Sequence, residues 1–277
     1  MLQFRPVISK LAFTYVIFSW IVRNMRTFQS TKIALTCALI FILSLMGVLL
    51  QPLQGVHAAA KAGTPAPTTP AQARVIGQGR SDLPKIALTF DDGPNPTYTP
   101  QVLSILAQHH VHATFFAIGN QVQSNPNLVK QAIGDGNVVE DHTWDHPDLT
   151  KLTPAAISKE VTSAADAVQK ATGQRPGLLR PPYGSVNATV RAQVAALNMT
   201  MVIWNVDTVD WSRPGVASIE NTALNNAHNG SIILMHDGGG DRSQTVAALP
   251  HIITTLQQRG YQLVTVPDLL HDMNIPA

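Results

Sequence analysis

The residues of this chain that could do chemistry fall in five short clusters. Asp91-Asp92-Gly93 offers paired carboxylates. His142 and His146 stand four residues apart. Arg180 opens Arg180-Pro181-Pro182-Tyr183-Gly184. Asp207 and Asp210 precede Trp211, and His236 follows the apolar run Ile232-Ile233-Leu234-Met235. Two histidines at i and i+4 can face one way on a helical turn. One carboxylate then completes a two-histidine, one-carboxylate set with open positions, a catalytic zinc pattern that also suits other divalent ions. With paired aspartates, one can bind the ion while its neighbour stays free as a base. An ion lowers the pKa of a water it holds, and a free carboxylate beside it can take the proton. His236 can protonate a leaving group, because histidine titrates near neutrality. Asp210 could hold that ring and favour its charged form, and Arg180 could steady the free aspartate through a charge-assisted pair. Singly, each cluster has a plainer reading: a surface histidine pair, an Asx turn at Asp91-Asp92-Gly93, a core histidine, a surface arginine, a core tryptophan. Their joint placement is what those readings do not explain.

That placement depends on the elements between them. Short β-type runs cover Lys85–Phe90, Ala113–Ala117, Asn137–Glu140, Leu178–Arg180, Met201–Asn205, Ser231–Met235 and Gln262–Val264. Helical patterns lie between most of them. Thr99-Pro100 reads as an N-cap and first-turn proline opening a helix to about His109. Pro154 opens another to Thr172, closed by Gly173. Asn187–Leu197, Ile219–His228 and Thr245–Arg259 complete the set, the last closed by Gly260. Strand-helix alternation predicts a parallel α/β architecture. About seven strands in roughly 195 residues predict a deformed (β/α) barrel smaller than the full eightfold one. In such folds chemistry gathers at the carboxyl ends of the strands, and the five clusters follow five predicted strands.

Several chemistries are excluded. The chain has no G-x-S-x-G elbow, no H-E-x-x-H metalloprotease motif and no G-x-x-x-x-G-K-[ST] phosphate loop. Its one cysteine, Cys37, lies outside the predicted catalytic body, which removes thiol catalysis there and any intrachain disulfide. The formal charge of +2, from 19 basic and 17 acidic residues, is unevenly spread. Residues 1–58 carry five basic residues (Arg5, Lys10, Arg23, Arg26, Lys32) and no acid, so the remaining 14 basic and 17 acidic residues leave the body at −3. A nucleic-acid partner is not expected. Ile33 to Leu50 is an uncharged, largely apolar run of 18 residues behind Arg26 and Lys32, followed by small residues up to Ala58-Ala59-Ala60. This is the layout of a signal peptide cleaved after Ala58, or else of a membrane anchor. Met25 has the better proportions for the true start. Either way the body is expected outside the cytoplasm, with membrane contact only through the N-terminal segment. Residues 59–84, rich in Ala, Pro and Thr, read as a spacer, and residues 85–277 as one catalytic domain.

Together the five motifs resemble the polysaccharide deacetylases of carbohydrate esterase family 4, the NodB-homology domain. They stand in order: T-F-D-D-G at Thr89–Gly93, H-T-x-x-H at His142–His146, R-P-P-Y-G at Arg180–Gly184, D-x-x-D-W at Asp207–Trp211 and L-x-H-D at Leu234–Asp237. The resemblance implies a metal-dependent deacetylase acting on carbohydrate polymer or oligosaccharide. By position, Asp91 is the general base, and Asp92, His142 and His146 hold one divalent ion, with zinc expected. Arg180 orients Asp91, Asp210 tunes His236, and His236 is the general acid. The backbone N–H of Tyr183 helps stabilise the oxyanion, while Trp211 and Leu234 wall the pocket for the acetyl methyl. The chain departs from the family pattern just before His142, where Glu140-Asp141 stands in place of the usual G-N. Asp141 and Asp145 therefore add negative charge near the metal loop, and Asp145 is expected to be solvated. An N-acetylglucosamine polymer, peptidoglycan or chitin-like, is the expected substrate. The alternatives are an O-acetyl esterase on acetylxylan and a non-catalytic carbohydrate-binding relic. Loops Gly238–Ser243 and Trp211–Val216 are expected to hold substrate choice.

Overall fold

The computed structural model describes residues 72–277. The leader over 1–58, the start at Met25 and the first part of the spacer lie outside them. Among the described residues no helix is long and apolar enough to cross a membrane.

Nine strands form one parallel sheet: β1 (Val75–Ile76), β2 (Lys85–Asp91), β3 (Thr114–Ala117), β4 (Val138–Asp141), β5 (Leu178–Leu179), β6 (Thr200–Val202), β7 (Val206–Asp207), β8 (Ile232–His236) and β9 (Gln262–Val264). The order along the sheet is β1-β6-β5-β4-β3-β2-β8-β7, with β9 also pairing β2. The predicted strand Met201–Asn205 ends early, at Val202, and β7 follows from Val206. The start of the predicted strand pairs with β5, and four residues after Val202 the chain pairs with β8. Residues 200–207 thus supply β6, next to one end of the path, and β7, at the other end, and draw the sheet into a deformed barrel.

The expected spacer ends earlier than Pro84. Val75 and Ile76 pair with Met201 and Val202, Gln78 bridges Ser231, and Ala73 is buried. Two β-branched or apolar residues sufficed for an edge strand, too short a run to stand out beside prolines and threonines.

Among the described residues eight α-helices surround the sheet: α1 (Thr99–Gln108), α2 (Gly119–Ser124), α3 (Pro126–Gly134), α4 (Pro154–Thr172), α5 (Ala188–Ala196), α6 (Val216–Asn226), α7 (Ser243–Gln258) and α8 (Val266–Asp272). The longest, α4, shows why they form. Thr153 caps it by accepting from the Ala156 N–H, Pro154 takes the first turn, and Gly173 ends it at a left-handed φ of 79°. Ile157, Val161, Ala164, Ala165 and Val168 make one buried stripe, and each buried Val or Ile contributes roughly 1.5–3 kcal/mol. The Thr99 cap expected for α1 is not one. Tyr98 is the N-cap residue, and the Thr99 hydroxyl instead donates to Asp237. Helices α2, α3 and α8 were not predicted.

Side-chain alternation along the strands separates the core from the site. On β2, Ile86, Leu88 and Phe90 join the cluster packed against the helices, whereas Ala87 joins the barrel interior with Phe116, Leu178, Val202 and Ile232. The same inward face carries Thr89 and Asp91 upward from Ala87. On β5 the inward face runs from Leu178 to Arg180, and on β8 from Ile232 through Leu234 to His236. Helix α8 closes the lower end with Val266, Leu269 and Leu270. The helix is fixed by a capping box between Thr265 and Asp268, and its Val266 N–H donates to the Thr114 hydroxyl. An apolar lower half therefore supports a polar upper half.

Candidate metal centre and acid–base site

Arg180 fills the barrel beneath the site. It is fully buried, with its guanidinium 4.0 Å from the Phe116 ring centre and 5.7 Å from that of Trp204. One nitrogen donates both to Thr89 Oγ1 at 2.8 Å and to Asp91 Oδ1 at 2.6 Å. Thr89 Oγ1 itself donates to the Ile233 carbonyl. Burial pushes the Arg180 pKa down against the opposing pull of Asp91, yet a guanidinium remains charged. Asp91 is thus held at one oxygen. Its other oxygen faces His142 Nε2 at 3.7 Å.

Asp92, His142 and His146 converge on one point, each offering a ligating atom within 4.8 Å of the others. Asp92 Oδ1 lies 3.5 Å from His142 Nε2 and 3.4 Å from His146 Nε2. His142 Nδ1 meets the Arg180 carbonyl at 2.7 Å. A carbonyl only accepts, so Nδ1 donates to it, and Nε2 is the nitrogen turned toward Asp92. Burial and the neighbouring His142 hold the His146 pKa down, which favours a free lone pair. Asp92 Oδ1 is buried and finds no hydrogen-bond donor among the described residues. Acceptors facing one another in a buried site need a positive charge between them. A divalent ion fits this donor set, and no other group of three such side chains was found among the described residues.

The backbone here is strained. Asp92, Thr143, His146 and Tyr183 have φ of 74°, 67°, 66° and 60°, a region that costs non-glycine residues roughly 1–2 kcal/mol each. Local bonds hold these turns. Thr143 N–H donates to Asp141 Oδ1, and His146 N–H to Thr143 Oγ1. Glu160 of α4 accepts from the N–H groups of Trp144 and Asp145. Asp145 is exposed, as expected, but Asp141 is fully buried with one oxygen unpartnered. Burial drives its pKa well above the ordinary value.

Next to this cluster, β2 and β8 set Asp91 opposite His236. His236 Nδ1 donates to Asp210 Oδ1 at 2.7 Å, and its backbone N–H donates to Asp210 Oδ2 at 2.8 Å. Thr245 Oγ1 also donates to Oδ2, at 2.7 Å. Burial would lower the His236 pKa, but the Asp210 hydrogen bond and charge raise it overall. Asp210 is correspondingly lowered, against the effect of its burial. This arrangement can hold a proton on Nε2 near neutrality and release it.

All seven predicted catalytic and metal residues therefore meet at the carboxyl ends of β2, β4, β5, β7 and β8. Of the three predicted substrate contacts, Leu234 is buried on the inward face, while Tyr183 and Trp211 are exposed by 67% and 55%. Tyr183 stands edge-on to His146, their ring centres 4.7 Å apart. Glu160, Arg242 and Thr245 were not singled out, and Thr89 and Asp237 stood in the quoted motifs without an assigned role. Thr89 was legible: it stands two residues before Asp91, on the same strand face.

The polysaccharide deacetylase family model matches residues 78–202. The chain is 45% identical over 187 residues to a Bacillus cereus peptidoglycan-N-acetylglucosamine deacetylase, covering 67% of this chain and 87% of the relative. It is 42% identical over 196 residues to a Bradyrhizobium chitooligosaccharide deacetylase, covering 66% and 90%. Among solved structures it resembles the Bc1960 peptidoglycan N-acetylglucosamine deacetylase with a TM-score of 0.70 and 35% identity, over 71% of this chain and 92% of that one.

Proposed function

Because the chain belongs to the polysaccharide deacetylase family, metal-dependent hydrolases of acetylated carbohydrate, we propose that it removes N-acetyl groups from an N-acetylglucosamine polymer. Peptidoglycan and chitin-like oligosaccharide are the candidate substrates, since relatives named for each match it at similar identity. The observation that carries this reading is the buried Asp92 Oδ1, with no donor, facing two imidazole nitrogens. Asp92, His142 and His146 would hold the ion, for which zinc is our choice. Bound there, it would act as a Lewis acid toward the acetyl carbonyl and acidify water.

The remaining steps belong to the chain. Asp91, pinned at Oδ1 by Arg180, takes the water proton at its free oxygen. The water oxygen bonds to the acetyl carbon, and the Tyr183 backbone N–H supports the developing oxyanion. His236 gives its Nε2 proton to the sugar nitrogen as the carbon–nitrogen bond breaks, because an amide nitrogen leaves poorly unless protonated. Acetate and a free amino sugar result. Asp210 keeps the His236 ring in the orientation and tautomer this requires. Leu234 and Trp211 flank the acetyl methyl.

We also propose that the catalytic body works outside the cytoplasm, delivered by the basic and apolar leader over 1–58. N-terminal sequencing of the expressed protein is expected to find Ala59 first. An uncleaved chain recovered with membranes would instead make the leader an anchor.

Acetate release from N-acetylchitooligosaccharide, peptidoglycan and acetylxylan, with and without chelator, tests the activity. Release from either of the first two, lost on chelation and restored by zinc, is expected. Release from acetylxylan alone would make the chain an O-acetyl esterase. No metal-dependent release from any of the three would overturn the enzymatic reading.

A further inference from the structure

The loop after β8, Asp237-Gly238-Gly239-Gly240-Asp241-Arg242, is packed against Asp92 more tightly than any side chain would permit. A Cβ on Gly238 would stand 2.1 Å from the Asp92 carbonyl oxygen, and one on Gly239 would stand 2.3 Å from Asp92 Oδ2. Gly239 also has a left-handed φ of 70°, so its backbone favours glycine for a second reason. The contact is reciprocal, because a Cβ on Gly93 would fall 2.2 Å from Asp237 Oδ2. The Asp237 N–H, in turn, donates to the Asp91 carbonyl at 3.1 Å. The turns following β2 and β8 are interlocked backbone against backbone.

One side chain holds the β8 turn in that position. Arg242 is only 5% exposed. Its Nε donates to the Gly238 carbonyl at 2.6 Å and a terminal nitrogen donates to the Gly239 carbonyl at 3.1 Å. No carboxylate lies within ion-pairing distance of it among the described residues. A buried guanidinium bound only to two peptide carbonyls is an expensive arrangement, and both carbonyls belong to the two glycines that abut Asp92. The other end of the loop is tied outward. Asp241 accepts from the Ser243 N–H and the Tyr98 hydroxyl and pairs with Arg213 at 2.8 Å. The loop cannot drift away from Asp92 without breaking one set of bonds or the other.

We propose that Arg242 is a positioning residue of the metal centre: through Gly238 and Gly239 it fixes the strained Asp92 so that its Oδ1 meets His142 and His146. This rests on the reading of Asp92, His142 and His146 as the metal ligands. Among the described residues Asp92 Oδ1 has no hydrogen-bond partner, so its orientation depends on what surrounds it. The glycine turn supplies that surround, and Arg242 supplies the turn.

The test is the affinity of chelator-stripped protein for zinc, measured by competition with a chromophoric chelator, in Arg242→Ala, Arg242→Lys, Gly239→Ala and the reference variant Asp92→Ala. Arg242→Ala is expected to weaken zinc about 10–100-fold, the range for groups that orient metal ligands. Arg242→Lys, which keeps a donor but not the fork, should recover part of the loss. Gly239→Ala should weaken zinc at least as much as Arg242→Ala, because its methyl meets the carboxylate directly. The metal-free melting temperature, read alongside, separates loss of the site from loss of the fold. If Arg242→Ala does not fold, Gly239→Ala decides. Zinc affinity within about threefold of the parent in Gly239→Ala and in whichever Arg242 variants fold, with Asp92→Ala lacking zinc, overturns this inference and leaves the metal reading standing. Unchanged affinity in Asp92→Ala as well overturns the metal reading and this inference with it.

Discussion

The two sides of the site differ in how completely their polar groups are satisfied. On the β7–β8 side, Asp210 has both oxygens engaged, by the His236 ring, the His236 N–H and the Thr245 hydroxyl. On the β2–β4 side, Asp92 Oδ1 and two imidazole nitrogens face one another with no donor between them. A closed set fixes where a proton sits, whereas an open set waits for a charge from outside the chain. Asp91 stands between the two and shares both characters, with Oδ1 closed by Arg180 and Oδ2 open toward His142. That half-open state is what a base needs: a fixed position and one oxygen free to accept.

The largest break in this contrast should come from Arg180→Met. It strips the closed half of Asp91 and leaves a buried carboxylate unpaired, which costs about 3–5 kcal/mol. The melting temperature should fall by on the order of 10 °C, and acetate release should drop at least about 100-fold. A variant with parental stability would show that Asp91 does not depend on this pair.

Asp210→Asn opens the closed side without disturbing the metal set. His236 loses the carboxylate that raises its pKa, so the alkaline limb of the kcat–pH profile should move to lower pH, with a loss of about 10–100-fold above neutrality. The sign follows from linkage. A histidine with a raised folded-state pKa adds stability that is full below about pH 6.5 and fades as pH rises through the folded value. The stability gap between parent and variant should therefore shrink in alkaline buffer. Zinc affinity should stay within about threefold, and an alkaline limb that does not move would break the assignment of His236 as the acid.

The smallest effect is expected from Thr245→Val. It removes one of three donors to Asp210 at nearly constant volume, for about 1–2 kcal/mol and a melting temperature a few degrees lower. Turnover should change by less than about fivefold, and a loss as deep as that of Asp210→Asn would make the hydroxyl more than a support.

The same contrast explains what could be read from the sequence. The candidate site residues were legible because each is a distinctive residue type at the end of a periodic strand. Asp91, His142, Arg180 and His236 end runs that alternate or stay apolar, and their spacing follows from the strand–helix repeat. The supports were not legible. Thr245 and Arg242 act through tertiary contacts across the β8–α7 turn, and no local pattern separates them from ordinary polar residues. Gly238 and Gly239 fall in a loop expected to hold substrate choice, whereas their lack of side chains is what admits Asp92. In the fold, β1 escaped because two residues carry no period. The split of the 200–207 segment escaped because closing a barrel is a property of partners far apart in the sequence. Helix α3 begins at Pro126 with no side-chain cap, which left only a weak start signal.

The central claim is that adjacent aspartates have separate tasks, Asp92 holding the ion and Asp91 moving the proton. It is tested most directly by Asp91→Asn, with zinc content and acetate release measured on the same preparation. The account predicts one zinc per chain, as in the parent, with acetate release reduced by at least about 100-fold. A variant that loses its zinc, or that keeps the ion and near-parental turnover, would contradict it.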